Sequence, residues 1–532
     1  MASTFILQEA EEGFSDRIDF FNVQPVDTSI TEVYIQEFEP INPLSDRSNI
    51  TFDISNQTGE YIDLKNARLI TTLIIRGEDG KPIKEVDDVT LINMPCISCY
   101  SQMDVKLQKT EISTGVGDNL AYKGMIDTLL GYGLNDHLSW FALGGFYKDT
   151  ATVMEDHVSK GSANSGLVAR NKLTKEGSEV RLISPFICDI AEQSKLLING
   201  VNLTVKLYPA SEDFRLLYAP LTAMAPDTEN VSVENDDYDD YDDEDDDDDD
   251  YTEADGNDGH TTTPSPPLSS VIGTVKRKKK KPSKKGKNKK RKTINKKNSI
   301  KDGLITVADP PPRTSKRYRV SIKNVVLSLP FVKINNAALE VISKRLESDM
   351  AIYTFMKSEI IAFNIGVGSW RWSTNQIFQD SIPDRVVIGL VAGKAYSGDH
   401  TKNPFNFQAF GLKKISFSVN GKSVPGPPLE IDFSKDDYSQ AYSTIFESSP
   451  PWQKEAPALE YGDFKDGYAL YVFDIEKHRS RDFMTPMKTG NTRLELIFSE
   501  KTTESINVIV YGKVPSVFKV DSARNVYLEN QA

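Results

Sequence analysis

The residues best suited to metal or redox chemistry are the three cysteines, Cys96, Cys99 and Cys188. Cys96 and Cys99 form a C-x-x-C pair, but neither a second such pair nor a nearby histidine accompanies it. Because a structural zinc ion needs four ligands, we predict no metal site here and expect these thiols in the core or in a loop. Three cysteines are also too few, and odd in number, for a disulfide framework in a long chain, which indicates synthesis in a reducing compartment.

The sequence lacks the short motifs that position a nucleophile, a phosphate group or a catalytic metal. It contains no G-x-x-x-x-G-K-[ST], no G-x-G-x-x-G after a strand, no G-x-S-x-G and no H-E-x-x-H. The five histidines lie on unrelated segments, and we expect His400 and His478, which lie in polar loop sequence, to be solvated. No two carboxylates form a recognisable acid/base motif. We therefore predict a structural or binding protein, not an enzyme, with no cofactor.

A lysine-rich tract is the strongest candidate for binding a partner. Three interpretations stay open: a solvated loop that neutralises the acidic block before it, a nuclear import signal, and non-specific binding of nucleic acid. Non-specific binding of nucleic acid would release counterions, so its affinity would depend steeply on salt. The acidic block from Asp236 to Asp250 argues against nucleic-acid binding, because its carboxylates compete with phosphate groups for the lysine side chains. The candidate residues are Lys276, Arg277, Lys278, Lys279, Lys280, Lys281, Lys289, Lys290, Arg291 and Lys292.

The elements that carry these residues are predicted to be β-strands. Apolar and polar residues alternate with a period of two, which is typical of half-buried strands, in residues 103–107, 203–207, 415–419 and 506–510. Val386 to Val391 is apolar throughout and fits a central strand covered on both faces. Asn420-Gly421 predicts a tight hairpin turn, because both residues accept a positive φ. Helical patterning is sparse, with short candidates at Ala121 to Leu130 and Ala337 to Arg345.

The same strand signals recur in the same order in the two halves of the chain. Asn93 to Ser113 resembles Asn403 to Pro425, and each is followed by an Ala-Tyr pair. Two further pairs follow in the same order, and both halves end in a long strand: Phe186 to Pro209 with Val472 to Ser499, and Tyr318 to Ile334 with Ser505 to Val520. A period this long predicts tandem domains instead of a solenoid.

A charged insert interrupts the first repeat between its last two predicted strands. Runs of acidic and then basic residues cannot bury apolar surface, so we predict a disordered loop over residues 222–314. The predicted organisation is an N-terminal arm (1–44), a first β-domain (45–335) containing the insert, a second β-domain (336–520) and a C-terminal tail (521–532). The strand patterns make the predicted fold class all-β.

Composition and charge restrict the class of protein. The chain has 532 residues, enough for two or three domains, and a net charge of −14, which argues against a surface that binds nucleic acid throughout. The N-terminus lacks the pattern of a secretory signal. We expect no membrane span, because no stretch approaches the ~18 to 20 apolar residues that a membrane helix needs.

The second half resembles the major capsid proteins of Polinton/Maverick elements and adintoviruses. The resemblance is carried by Arg385 to Pro425, which includes K-N-P-F-N-F, and by Gly467 to Ile475, Gly490 to Phe498 and Ile506 to Val526. The first half is similar more diffusely, through Asn199 to Leu217. The likeness extends over roughly residues 45 to 525, and the charged insert is its main departure from the family.

This resemblance implies that the two β-domains are tandem eight-stranded jelly rolls, the first at 45–335 and the second at 336–520, which is the double jelly roll of the adenovirus hexon lineage. In that lineage three chains form a pseudo-hexameric capsomer that tiles an icosahedral shell. The implied partners are other copies of the chain in a homotrimer, neighbouring capsomers and minor capsid or penton proteins. If the lysine tract binds a partner, that partner is a nuclear import receptor or nucleic acid. The implied location is the virion capsid, after synthesis in the cytosol and with assembly in the nucleus as one option. The resemblance also implies that the insert lies on the outer shell surface.

Two other classes of function stay open. A β-sandwich module that binds a glycan or a receptor would display aromatic residues on its loops, and Trp370 with Trp372 offers a pair of them. A domesticated nuclear nucleic-acid-binding protein would use the lysine tract and keep the β-domains as a scaffold. The oligomeric state discriminates between these classes and the capsid, because only the capsid requires a salt-resistant trimer.

Overall fold

The structure is a computed structural model, described here over residues 27–45, 48–56, 59–84, 87–113, 119–220, 316–378, 381–447, 456–475 and 486–529. Strands dominate both halves of the chain. The strands of the first half are β1 (Ile30–Phe38), β2 (Ile50–Ile54), β3 (Glu60–Ile62), β4 (Arg68–Gly77), β5 (Val89–Leu91), β6 (Tyr100–Leu107), β7 (Thr110–Ser113), β8 (Val180–Pro185), β9 (Leu203–Pro209), β10 (Leu216–Tyr218) and β11 (Tyr318–Ile334).

The second half repeats this arrangement after a helical connection. Its strands are β12 (Ala351–Ile365), β13 (Arg371–Asn375), β14 (Arg385–Ala392), β15 (Leu412–Val419), β16 (Lys422–Ser423), β17 (Leu429–Glu430), β18 (Leu470–Asp474), β19 (Thr492–Phe498), β20 (Ile506–Val520) and β21 (Val526–Leu528).

Short helices occupy the connections between strands. The α-helices are α1 (Pro95–Ser98), α2 (Leu120–Gly131), α3 (Leu134–Leu138), α4 (Ser165–Leu173), α5 (Glu212–Arg215), α6 (Asn336–Ser348), α7 (Gly393–Ser397), α8 (Ser439–Glu447) and α9 (Tyr461–Lys465). Short 3-10 helices lie at Phe141–Gly144, Ala151–Val153, Lys175–Gly177, Asp189–Ala191 and Phe433–Lys435. The two helices predicted from the sequence correspond to α2 and α6, whereas α4 and α8 were not predicted.

Both halves have the same strand order, and that order defines a jelly roll. In the first half, one sheet runs β1-β11-β4-β8 and the other runs β2-β9-β6-β7. In the second half, the corresponding sheets run β12-β20-β14-β18 and β13-β19-β15-β16. With the eight main strands of each half counted along the chain, both halves read 1-8-3-6 in one sheet and 2-7-4-5 in the other. The predicted double jelly roll is confirmed.

The burial pattern follows the sequence pattern that predicted these strands. In β9, Leu203, Val205 and Leu207 are buried while the residues between them are partly exposed. In β14 every residue after Arg385 is buried, as expected of a central strand. Gly389 is required there, because a Cβ atom at this position would lie 2.6 Å from the ring of Phe407. The turn between β15 and β16 has positive φ at Asn420 (50°) and Gly421 (79°), as the Asn-Gly pair predicts.

Two predicted boundaries differ from the structure. We predicted an arm over residues 1–44, yet β1 pairs along its length with β11 and is the first strand of the first jelly roll. The predicted C-terminal tail contains β21, which pairs with the end of β20. Both strands were missed because neither shows the alternation of a half-buried strand: β1 has apolar side chains on both faces, most of them exposed, and β21 is only three residues long.

Candidate assembly surfaces

The two jelly rolls meet at a buried network of charged side chains. Lys513, on β20 of the second jelly roll, lies 3.0 Å from both carboxylate oxygens of Glu192 and 3.5 Å from Asp127 Oδ1. Asp127, on α2 of the first jelly roll, also accepts a hydrogen bond of 2.6 Å from the hydroxyl of Tyr511. Buried ions of opposite charge at this spacing fix the relative position of the elements that carry them, because separating them leaves uncompensated charge.

A second lysine extends the network within the first jelly roll. Lys123, one turn before Asp127 on α2, lies 3.1 Å from Asp127 Oδ2 and 3.2 Å from Asp189 Oδ1. The other carboxylate oxygen of Asp189 accepts a hydrogen bond of 2.9 Å from the backbone N–H of Ser358 on β12. The network therefore reaches from the first jelly roll to the edge strand of the second.

The ionisation of this network reflects burial opposed by the neighbouring charges. Burial alone would lower the pKa of Lys513, but Asp127 and Glu192 raise it above its ordinary value. Burial also opposes ionisation of Asp127, yet Lys123 and Lys513 bring the pKa of that carboxyl down to about 2. Glu192 differs, because burial raises its pKa more than the lysines lower it. The network contains three carboxylates, those of Asp127, Asp189 and Glu192, but only two lysines. Positive charge therefore compensates Glu192 less fully, and its pKa stays above the ordinary value.

A second junction is built around the buried carboxylate of Asp149. Arg170 donates to Asp149 Oδ1 at 2.9 Å, and the amide groups of Asn93 and Asn403 lie 3.4 and 3.3 Å from Asp149 Oδ2. The hydroxyl of Tyr468 donates to the backbone carbonyl of Asp149 at 2.8 Å. Asn93 and Asn403 open the two repeats found in the sequence, so both copies of that motif contribute to one site.

The edge of the second jelly roll's first strand, β12, is covered by the first jelly roll. Lys195 donates to the backbone carbonyl of Ile352 at 2.9 Å. The hydroxyl of Tyr353 donates to the carbonyl of Leu196 and accepts from the N–H of Ile198, both at 3.0 Å. The connection between β8 and β9 thus lies along β12 and satisfies polar groups that an edge strand would otherwise expose.

No residue of the described ranges makes an equivalent contact to the corresponding edge of the first jelly roll, β1. Val33 and Ile35, two residues apart on one face of the strand, are 59% and 67% exposed. On the opposite face, the ring of Tyr34 stacks on Phe331 of β11 with centroids 5.7 Å apart, and its hydroxyl donates to Glu60 at 2.7 Å. A long edge strand with exposed apolar side chains is a surface suited to association.

The lysine tract lies outside the described residues, whereas the residues on either side of the charged insert lie within them. The chain leaves the jelly roll after β10 and returns at β11, where the rings of Tyr218 and Tyr318 lie 5.1 Å apart. Asp87 accepts hydrogen bonds from the hydroxyl of Tyr318 at 3.0 Å and from Lys316 at 3.3 Å. Asp87 lies in the connection between β4 and β6, so the insert begins and ends at the end of the jelly roll where this connection lies.

The other residues singled out from the sequence form no chemical site. Cys96, Cys99 and Cys188 are buried, and burial raises the pKa of each thiol to about 12. His478 is outside the described residues. The expectation for His400 was wrong: it is partly buried, its ring lies 4.0 Å from Tyr218, and burial lowers its pKa. Across the part of the chain that the structure describes, no three His, Cys, Asp or Glu side chains group to hold a metal.

The two tryptophans proposed for an aromatic binding patch have different surroundings. Trp372 packs against Phe363 with ring centroids 5.6 Å apart, whereas Trp370 is 64% exposed. Trp372 therefore belongs to the sheet surface, and only Trp370 is displayed. Among the described helices, none is long and apolar enough to cross a bilayer.

Comparison with known proteins places the fold among viral structures. A chain of the Sputnik virophage, determined by cryo-electron microscopy, superposes with a TM-score of 0.55 and 10% identity, covering 100% of this chain and 95% of the virophage chain. PBCV-1 VP54, fitted into a reconstruction of the same virophage, gives a TM-score of 0.52 and 8% identity, covering 96% of this chain and 99% of VP54. At these identities the likeness concerns the fold.

Sequence comparison adds one partial match. An uncharacterized protein of Caenorhabditis elegans is 24% identical over 190 residues, which is 35% of this chain and 45% of the worm protein. The match therefore spans less than half of that protein's length. No family model matches the sequence.

Proposed function

We propose that this chain is a major capsid protein, and that three copies associate into a pseudo-hexameric capsomer of an icosahedral shell. The observation that carries the proposal is the repeated jelly roll: both halves have the same order of eight strands in two sheets. Three such chains supply six similar modules, which a hexagonal tile requires. The resemblance of Arg385 to Pro425 to Polinton and adintovirus capsid proteins, and the fold shared with a chain of a virophage particle, support it.

The junction between the two jelly rolls supports the same arrangement. The side of the first jelly roll that carries α2 and the β8–β9 connection meets the first strand of the second, so two different surfaces join. Because the two joined surfaces differ, the first jelly roll keeps its own first-strand surface unused, and the second jelly roll keeps its own copy of the other surface unused. If these two unused surfaces join between copies in the same head-to-tail manner, the copies form a closed ring when the rotation from one jelly roll to the next allows it.

The proposed role is structural instead of catalytic, and the partners follow from it. Other copies of the chain form the capsomer, neighbouring capsomers form the facets, and minor capsid or penton proteins fill the remaining positions of the shell. The proposed location is the virion. Nuclear assembly would require the lysine tract to act as an import signal.

We also propose that the charged insert lies on the outer surface of the shell. Its flanking residues, Tyr218 and Tyr318, lie beside the β4–β6 connection, at the end opposite to the point where β1 begins and β11 ends. A chain that lacks residues 222–314 tests this. Particles that package their genome normally are expected, whereas empty particles would contradict the outer position and favour contact between the lysines and nucleic acid.

The experiment that tests the capsid proposal is the mass of the purified protein by light scattering, at low and at moderately high salt. A salt-resistant species near three times 59.4 kDa is expected. A monodisperse monomer would contradict the proposal and favour a monomeric binding module. A trimer that dissociates in salt would also contradict it, because obligate capsomer interfaces are large and mainly apolar.

A further inference from the structure

A cavity lies between the two jelly rolls, beside the charged network around Lys513. Its volume of about 560 Å³ is within the range of ~300–1,000 Å³ that is typical of pockets that bury a small ligand. The first jelly roll lines it with the β3–β4 connection, α2 and the β8–β9 connection, and the second lines it with β14 and β20. The proposed capsomer assigns no role to this cavity, so it is a candidate for a function of its own.

The interior of the cavity is mainly apolar. Lys513, the buried lysine of its wall, is already engaged by Asp127 and Glu192 within 3.5 Å. The remaining buried wall consists largely of aliphatic and aromatic side chains from both jelly rolls, among them Ile126, Leu130, Phe141, Phe186 and Val387. A hydrocarbon chain that leaves water for this interior gains free energy from the hydrophobic effect.

The opening of the cavity is cationic. Lys65 and Arg68 are exposed residues of the lining, and the guanidinium of Arg68 lies 4.4 Å from the ring centroid of Trp140, another lining residue. The loop that carries them is fixed, because Asp63 accepts hydrogen bonds from the backbone N–H and the side-chain amide of Asn66 at 3.3 and 2.7 Å. Among the described residues, no carboxylate forms an ion pair with Lys65 or Arg68. The opening therefore presents two uncompensated positive charges.

We propose that the cavity binds an amphipathic anion of the fatty-acid class, with its carboxylate at Lys65 and Arg68 and its alkyl chain among the apolar walls. A wholly apolar molecule would leave the two cations unused, and a small hydrophilic anion would leave the apolar walls in contact with water. Because the walls belong to both jelly rolls, the bound molecule contacts both and stabilises their junction as its concentration rises. The cavity lies within one chain, so the inference does not depend on the capsomer.

Three probes separate charge from hydrophobicity, and calorimetric titration of the full chain measures their affinities. We expect decanoate to bind at one site per chain. 1-Decanol, which has the same chain length but no charge, is expected to bind about 10-fold more weakly, because it loses the charge-assisted contacts at the opening. Acetate, which has the charge but no chain, is expected not to bind. Absence of decanoate binding, or equal affinities for decanoate and 1-decanol, would overturn the inference.

Substitutions at the opening and in the interior test the position of the site. Lys65→Gln/Arg68→Gln is expected to weaken decanoate about 10-fold and to leave 1-decanol unchanged. The matched control, Lys422→Gln/Arg493→Gln, removes the same charge at exposed positions outside the cavity and is expected to bind decanoate like the wild type. Equal weakening in both variants would overturn the inference. Ala191→Phe adds a ring to the cavity wall and is expected to abolish binding of both ligands; unchanged binding would contradict the site.

Tryptophan fluorescence gives a readout that does not depend on the affinity. Trp140 lines the cavity, whereas Trp370 and Trp372 do not. A brominated decanoate, which quenches indole fluorescence on contact, is expected to quench the wild type, and Trp140→Phe is expected to lose most of this quenching while it still binds the ligand. Quenching of equal size in the variant would place the ligand elsewhere and overturn the inference.

The alternative occupant is the N-terminal segment of the chain, because residues 1–26 combine aromatic and acidic side chains. A variant that lacks residues 1–26 is expected to bind decanoate with the affinity of the full chain if the cavity is a site for a small amphipathic anion. Binding that becomes more than about 10-fold tighter, as expected when a competing segment with that share of the cavity is removed, would overturn the inference in favour of the N-terminal segment.

Discussion

The first strands of the two jelly rolls occupy the same topological position but have different surroundings. The edge of β12 makes polar contacts with the β8–β9 connection of the first jelly roll, and no equivalent contact to β1 occurs among the described residues. The outward apolar side chains of both strands are exposed: Val33 and Ile35 on β1, and Ile352 on β12. Their inner faces carry the same stacked tyrosine and phenylalanine. The comparison teaches that the barrel determines the inner face of the strand, while the adjacent jelly roll determines the polar contacts along its edge.

The largest effect is expected from breaking the covered junction at Lys513. Lys513→Met would leave the partly buried carboxylates of Asp127 and Glu192 without their shared cation, while Lys123 still pairs with Asp127, so we expect the free energy of unfolding to fall by about 3 kcal/mol, the low end for a broken buried pair. Urea unfolding followed by tryptophan fluorescence, at one protein concentration, measures it. Lys422→Met, at an exposed position of β16, is the control and is expected to change little. Equal stability of the two variants would contradict a structural role for the network.

A smaller effect is expected from the two equivalent tyrosines. Tyr353→Phe leaves the Leu196 carbonyl and the Ile198 N–H without their partner at a buried junction, which costs about 1–3 kcal/mol. Tyr34→Phe removes one hydrogen bond to Glu60, at a partly exposed site, and we expect a loss of less than about 1 kcal/mol. Denaturation midpoints of the two variants compare the edges directly. A loss at Tyr34 that equals the loss at Tyr353 would show that β1 is already covered within its own chain.

A further effect is a pH dependence of stability that arises at the covered junction through Glu192. The pKa of Glu192 is raised in the folded protein, so its contribution to stability is fully present below the unfolded pKa of about 4.3 and is lost as pH rises through the folded value. The loss has a slope of about 1.4 kcal/mol per pH unit within that window. Unfolding of the wild type and of Glu192→Gln, measured across the window, should differ by this slope. Parallel curves would show that Glu192 does not titrate with folding.

Much of the fold is predictable from the sequence, because jelly-roll strands alternate regularly. The residue alternation at 203–207, the apolar run in β14 and the Asn420-Gly421 turn indicate strands and a hairpin where the structure has them. The repeat also predicts two domains, since it pairs unlike elements in the same order. β1 was missed because apolar side chains lie on both of its faces and most of them are exposed, so its sequence lacks the alternation of a half-buried strand.

The junction network was not predictable in the same way. Lys123 and Asp127 interrupt an otherwise apolar helix, and a charged pair one turn apart in such a context is a signal of burial that sequence reasoning can use. Their partners Asp189 and Lys513 are far away in the chain, and nothing local indicates that they meet. The internal repeat was more informative at Asn93 and Asn403, which the fold brings to the same carboxylate of Asp149.

The ring contact between Tyr218 and Tyr318 makes the stretch between them a point of insertion. Because these two flanking residues lie close together, the length of chain between them can change at little cost to the strands of the jelly roll. A foreign domain whose termini lie close together is therefore expected to be tolerated in place of residues 222–314.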